Sequence, residues 1–371
     1  MKKIAFVIKL FQSKNFHGGG EKLFCKLIKG FISKNYVIDV YCSKSDVSDF
    51  TGINGIFVVD VEYDHLKPKT MEKFYDKVRL LTSDKNYDFI ISENITPPIG
   101  ITFLQGHSLI HRKRQYKSFL KGLLYYFRPV KRERIKYQAK WMGQGYNKIF
   151  APSNIVKQEI IKNFGIGEDK IFAVYPGVDI DEAAVYKPVK PVGNPVTFGL
   201  SAPGFKIKGG FVFLKALHLL KKQGLDFRAK IIYPKYKKNL GVKLLLKFYG
   251  IEKNVEFLSF QENMQNFYNS VNCIVMPSIE DTFGLVALEA MANKRFCIIS
   301  SNAGASEIIE QGKNGFVFRF DSDKEKNLAD VMAKFILNPQ INFELCENAF
   351  QTAQNYSWDR MFNEFLNLLK I

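Results

Sequence analysis

No run of apolar residues in this chain approaches the roughly 18 that a membrane-crossing helix needs, so the sequence predicts no spanning segment. Cysteine is scarce. The five present (Cys25, Cys42, Cys273, Cys297 and Cys346) are scattered, with no CxxC pair and no even-numbered framework. That pattern excludes a disulfide scaffold and points to free buried thiols in a reducing compartment. Internal repeats and low-complexity tracts are missing. A hydrophobic share of 46% with 24% charged residues excludes disorder as the main state. Met1-Lys2-Lys3 followed by Ile4 to Ile8 opens like a signal peptide, but Lys9 and then Gln12 to Asn15 end the apolar run early. A first β-strand is expected there instead. Acid is in short supply: 36 Asp+Glu stand against 54 Lys+Arg, a net charge of +18. Such a balance points to a polyanionic partner: nucleic acid, an anionic membrane face or an acidic substrate.

The chain's 371 residues suffice for two domains. Short apolar runs rich in β-branched and aromatic residues recur at 4–10, 37–42, 55–61, 89–92, 101–104 and 148–152. A second series falls at 196–201, 229–233, 255–258, 273–276, 296–301 and 315–318. Most are apolar throughout, as parallel strands covered on both faces require. Between them lie helix-period segments such as 21–33, 210–222 and 285–292. Strand–helix alternation twice over predicts two α/β domains with parallel sheets, facing across a cleft. The expected division is an N-terminal domain over 1–185, a Pro-rich hinge over 186–195 and a C-terminal domain over 196–353. Residues 354–371 form an amphipathic helix expected to pack back on the first domain.

Three constellations carry chemistry. His17-Gly18-Gly19-Gly20-Glu21 follows the first strand and opens its helix. Glycines there let a backbone approach a phosphate, or form a plain βα turn. It lacks the GxGxxG pattern, which argues against NAD. Gly204-Phe205-Lys206-Ile207-Lys208-Gly209-Gly210 follows the first strand of the second series. Its lysines either meet a diphosphate or are solvated. Third, Pro277-Ser278-Ile279-Glu280-Asp281-Thr282-Phe283-Gly284-Leu285 runs from a strand end into a helix that reaches Glu289. The amides of Phe283, Gly284 and Leu285 could hold phosphate oxygens at the positive end of that helix. Asp281 reads alternatively as a helix N-cap. Glu289, in apolar company, needs a partner: ribose hydroxyls, or an Arg or Lys from the other domain.

Together with Gly304-Ala305-Ser306-Glu307, Tyr175-Pro176-Gly177-Val178-Asp179 and Ser357-Trp358, these motifs resemble the retaining glycosyltransferases of family GT4, over residues 1 to about 360. Within that family the Gly-Phe-Lys-x-Lys-Gly form is similar to hexosyltransferases of the lipopolysaccharide core. The resemblance implies a GT-B fold of two Rossmann-like, doubly wound domains, the first for the acceptor and the second for a nucleotide-sugar donor, a UDP-hexose. It implies that Gly19 and Lys208 contact the donor diphosphate and that Glu289 holds the ribose. Asp281 would hold sugar hydroxyls, and His107 would lie near donor sugar and acceptor; alone, a histidine after a strand is more often structural, and the other motifs reverse that reading. Gly18, Gly20, Lys206, Phe283, Gly284 and Leu285 complete the donor set. Two departures stand out: Asp281 replaces the family's glutamate, and Lys206 stands in for an absent arginine. No cofactor is implied, and no metal, since neither Asp179-Ile180-Asp181 nor Asp321-Ser322-Asp323 ends a strand.

The positive charge is concentrated. Between His111 and Trp141 lie eleven basic residues and the single acid Glu133, so ten of the eighteen net charges. Arg112, Lys113, Arg114, Lys117 and Lys121 lead the segment, interleaved with Tyr116, Phe119, Leu120 and Tyr125. The make-up suits an interfacial helix on anionic lipid or a phosphorylated glycolipid acceptor, or an ordinary helix pair with a solvated basic face. The lysines from Lys235 to Lys247 read as solvated surface. The expectation is a peripheral enzyme at the inner, cytoplasmic face of the cell membrane, extending a lipopolysaccharide or other lipid-linked acceptor, without nucleic acid. The rivals are an inverting GT-B transferase, a nucleotide-sugar epimerase, or a nucleic-acid-binding protein, which would leave the Asp281–Glu289 motif unexplained.

Overall fold

The computed structural model describes residues 1–12, 19–47, 50–114, 129–180, 195–338 and 342–369. These form two compact units, one of residues 1–175 with 362–371, the other of residues 176–361. The Pro-rich stretch before Pro195 lies outside the described residues.

The first unit runs β1 (Lys3–Phe11), α1 (Gly19–Ser33), β2 (Val37–Ser45), β3 (Gly55–Val58), α2 (Pro68–Thr82), β4 (Phe89–Glu93) and β5 (Ile101–Phe103). It continues with α3 (Leu109–Arg114), α4 (Pro129–Gln144), β6 (Lys148–Ala151), α5 (Asn154–Phe164) and β7 (Ile171–Ala173). All seven strands are parallel, in the order β3-β2-β1-β4-β5-β6-β7. Ile4 lies between Ile38 and Phe89, and the central strands are buried on both faces, so their sequences are apolar throughout. Helix α1 packs Leu23, Phe24, Leu27, Ile28 and Phe31 inward, the stripe expected from its period. Strand β7 was not anticipated. Three residues at a sheet edge are too few to make a recognisable apolar run.

The second unit runs β8 (Val196–Ser201), α6 (Gly210–Lys222), β9 (Phe227–Ile232), α7 (Leu240–Tyr249), β10 (Val255–Leu258), α8 (Met264–Asn269) and β11 (Cys273–Met276). It ends with α9 (Leu285–Ala292), β12 (Phe296–Ser300), β13 (Phe316–Phe318), α10 (Lys324–Leu337), α11 (Asn342–Gln354) and the first turn of α12 (Trp358–Leu369). Its six parallel strands are ordered β10-β9-β8-β11-β12-β13.

Both sheets reverse direction next to their first strand, at β1/β4 and at β8/β11. In open α/β sheets such a reversal, outside the strand carboxyl ends, is where ligands bind. Helix α12 belongs to both units. Its Phe362 and Phe365 lie in the first, where Phe362 meets Phe31 edge-on with centroids 5.0 Å apart and Phe365 meets Phe150 at 4.4 Å. Among the described residues no helix is long and apolar enough to cross a membrane. The five cysteines are free and buried.

Candidate functional site

In the second unit, the loops after β8 and β11 meet because these strands are neighbours. The Ile279 amide donates to the Ile207 carbonyl at 2.9 Å. Gly209 ends the first loop with φ of +74° and caps α6; a Cβ there would lie 1.8 Å from the Pro277 carbonyl oxygen. Only glycine permits that approach. It sets the preceding Lys208 across from Asp281, and Lys208 Nζ donates to Asp281 Oδ2 at 2.7 Å. The pair is only part-buried, with a third of the lysine side chain exposed. Asp281 is held by its backbone, which accepts from the Gly304 amide at 3.0 Å. It is not the N-cap of α9. That position is Gly284, at φ of +99°, with no side chain on the first-turn amides. Phe283 is buried in the core and offers only its backbone, and Lys206 is exposed on the loop surface.

Glu289 lies in the second turn of α9, which opens at Leu285. A partner within the same unit is Tyr268, which donates its hydroxyl to Glu289 Oε2 at 2.9 Å. Burial first, and then the Glu289 charge, holds the Tyr268 proton well above the usual phenol range. Tyr268 therefore stays a donor and orients the carboxylate.

In the first unit, a pocket of about 390 Å³ opens at the β1/β4 reversal, lined by Lys9, Glu93, Asn94, Gln105, His107, Arg134 and Trp141 among others. Glu93 ends β4 and accepts from the Lys9 amide at 2.6 Å. Burial pushes its carboxyl up to about 7, against the pull of Lys9 and with a further push from Glu21. The start of α1 abuts this pocket. Gln105 donates to the Gly20 carbonyl at 3.2 Å, and a Cβ on Gly20 would lie 1.9 Å from Gln105 Oε1. Gly19 begins the helix, and His17 and Gly18 lie outside the described residues.

His107 follows β5 and Glu159 lies on α5, which follows β6; because β5 and β6 are paired, the two meet. His107 Nδ1 and Glu159 Oε2 share a short hydrogen bond, and Glu159 Oε1 accepts from the Ser108 amide at 2.8 Å. Burial alone would raise the Glu159 carboxyl. The His107 hydrogen bond and charge, His111 and Ser108 outweigh it and hold the group below the usual range. Facing a carboxylate, Nδ1 is the ring nitrogen that donates. His107 Nε2 is buried and has no hydrogen-bond partner among the described residues. His111 stacks on His107 with centroids 4.8 Å apart, its Nδ1 3.7 Å from the same carboxylate oxygen. His107, His111 and Glu159 place ligand-type atoms within 4.8 Å of one another, close enough for a metal ion that would displace the Nδ1 proton.

Glu93, Glu159 and Tyr268 were not anticipated. Each looks ordinary in its own segment and gains meaning only from a partner distant in sequence. Arg112, Lys113 and Arg114 belong to α3, of which only the backbone is described there; Lys117 and Lys121 lie outside the described residues.

Two parallel α/β units, each with loops gathered at the reversal point of its sheet, are the architecture of the GT-B fold. The comparisons agree. Residues 17–182 match the family model for Glycosyltransferase Family 4, and residues 190–356 that for Glycosyl transferases group 1. The chain belongs to the GT4-like glycosyltransferases. An uncharacterized glycosyltransferase of Methanocaldococcus jannaschii is 25% identical over 95% of this chain and 94% of its own length. D-inositol 3-phosphate glycosyltransferase of Corynebacterium urealyticum is 25% identical over 54% of this chain and 51% of its own length. Among solved structures, WaaG, a glycosyltransferase involved in lipopolysaccharide biosynthesis, superposes with a TM-score of 0.78 over 98% of this chain and 99% of its own, at 16% identity. Anabaena HepE in complex with UDP-glucose gives 0.70 over the whole of both chains at 17% identity.

Proposed function

We propose that this enzyme moves a hexose from a nucleotide sugar, a UDP-hexose, to a glycolipid or lipopolysaccharide-type acceptor at the cytoplasmic face of the membrane, with retention and without a metal. The observation that carries the reading is the Lys208–Asp281 pair beside the start of α9. Each group neutralises the other while no donor is bound. An arriving diphosphate takes Lys208 onto its oxygens and releases Asp281 to accept hydroxyl groups of the sugar. Charge that develops on the departing diphosphate meets Lys208 and the first amides of α9, fixed in advance of the reaction. Glu289, oriented by Tyr268, takes the ribose hydroxyls. The acceptor enters the pocket of the first unit, where His107 Nε2 and Glu93 supply hydrogen-bonding groups. Asp321 accepts from the Asp323 amide at 2.9 Å and pairs with Arg319, which supports reading that acidic stretch as a surface turn. Retention follows the family that the motifs resemble. The likeness to WaaG supports the acceptor class, and HepE with UDP-glucose supports the donor class.

The test is a thermal-shift screen against UDP-, GDP- and ADP-sugars, since a ligand that binds only the folded state raises its melting temperature. A UDP-hexose is expected to give the shift. Glu289→Ala is expected to lose both that shift and all transfer while melting within a few degrees of wild type. Near-normal turnover in the purified variant overturns the site assignment.

A further inference from the structure

Helix α7 carries apolar side chains on its outside as well as its inside. Val242 and Leu246 are buried against the unit, whereas Leu240, Leu244 and Phe248 are 70%, 61% and 80% exposed. Spaced four apart, these three make one row along roughly 12 Å of helix, at about 1.5 Å per residue. By helical phase Lys243 and Lys247 flank one side of the row. The turn before the helix adds exposed Lys235, Lys237 and Lys238. No Asp or Glu occurs between Asp226 and Glu252. Lysines alone would be solvated surface, which is how this stretch reads in the sequence. A solvated helix, however, turns polar residues outward, and a single exposed leucine is ordinary where an aligned row is not.

We propose that α7 docks on an anionic lipid surface. Leu240, Leu244 and Phe248 enter the boundary between headgroups and acyl chains, while the lysines extend over lipid phosphates. Charge decides the occupant. A second copy of the chain meeting this face about a two-fold axis would set lysine against lysine. The proposal goes beyond the membrane location given above, because it puts a contact on the second unit, outside the basic segment 112–140.

Phe248→Trp in the full chain tests it. The two native tryptophans, Trp141 and Trp358, are buried, so a change in emission on adding vesicles reports the new exposed indole. Vesicles of phosphatidylcholine with about 30 mol% phosphatidylglycerol are expected to shift its emission to the blue, and brominated acyl chains to quench it; pure phosphatidylcholine is expected to do neither. Leu244→Glu with Phe248→Glu is expected to weaken vesicle binding about tenfold or more at unchanged melting temperature and unchanged turnover of a water-soluble acceptor. If the chain binds the anionic vesicles and the indole stays unshifted, the α7 contact is wrong and the membrane location stands. If the chain binds no vesicle at all, both fall. A shift induced by polyglutamate but never by lipid assigns the face to an acidic protein and overturns the proposal.

Discussion

A carboxyl group at the end of β4 keeps its proton far up the pH scale. Glu93 titrates near 7 in the folded unit because burial penalises its charged form, whereas the unfolded chain releases that proton near the ordinary value of 4.5. Between those two values the native state holds a proton that the unfolded state has lost. Stability therefore falls as pH rises through that window. The group contributes no pH dependence below about pH 4.5 and no further loss above about 7. At 1.36 kcal/mol per unit the effect is roughly 3 kcal/mol. Urea denaturation of the wild type is expected to show this decline from about pH 4.5 to about pH 7, and Glu93→Gln to flatten it. An unchanged slope in the variant would return Glu93 to the ordinary carboxylates. His107 and Glu159 show the opposite case, in which a partner keeps a buried carboxylate ionised.

At the scale of elements, a single glycine couples the two donor loops. A side chain at 209 has to enter the left-handed region, which costs about 1–2 kcal/mol for an L-residue. It also pushes Pro277 away, and with it the loop that carries Asp281. Gly209→Ala is therefore expected to lower the melting temperature by several degrees and to weaken the shift given by a UDP-sugar. A variant that melts and binds like wild type would show that the loops are held by other means. This glycine, like Asp281, Gly284 and Glu289, was legible in the sequence because loop and helix start are local: the spacing from Asp281 to Glu289 is set within one turn and two helical turns. The strands were legible for the same reason, each being a short apolar run between turn residues. The partners were not. Tyr268 lies 21 residues from Glu289 and Glu159 lies 52 from His107, and only the order of strands in each sheet brings them together. The exposed row on α7 also escaped the sequence, since an apolar residue at helical spacing reads as core until the neighbouring elements show which side is covered.

At the scale of the molecule, α12 closes the first unit with residues from the far end of the chain. Gly30 has no room for a Cβ, which would lie 2.6 Å from the Phe362 ring, and Phe31, Phe103 and Phe150 all contact Phe362 or Phe365. Removing a buried phenylalanine costs about 3–5 kcal/mol, and this helix brings two. A chain ending at Met361 is expected to bind a hydrophobic dye and to aggregate on mild heating; a monomeric, dye-free product with the wild-type melting temperature would show that α12 is dispensable. During synthesis the consequence is one of timing. The ribosome makes the seven strands of the first unit early and must then add nearly two hundred residues before the segment that seals them emerges. Until then the aromatic floor around Phe31 and Phe150 faces the solvent of the cell. The unit made first is the last one finished.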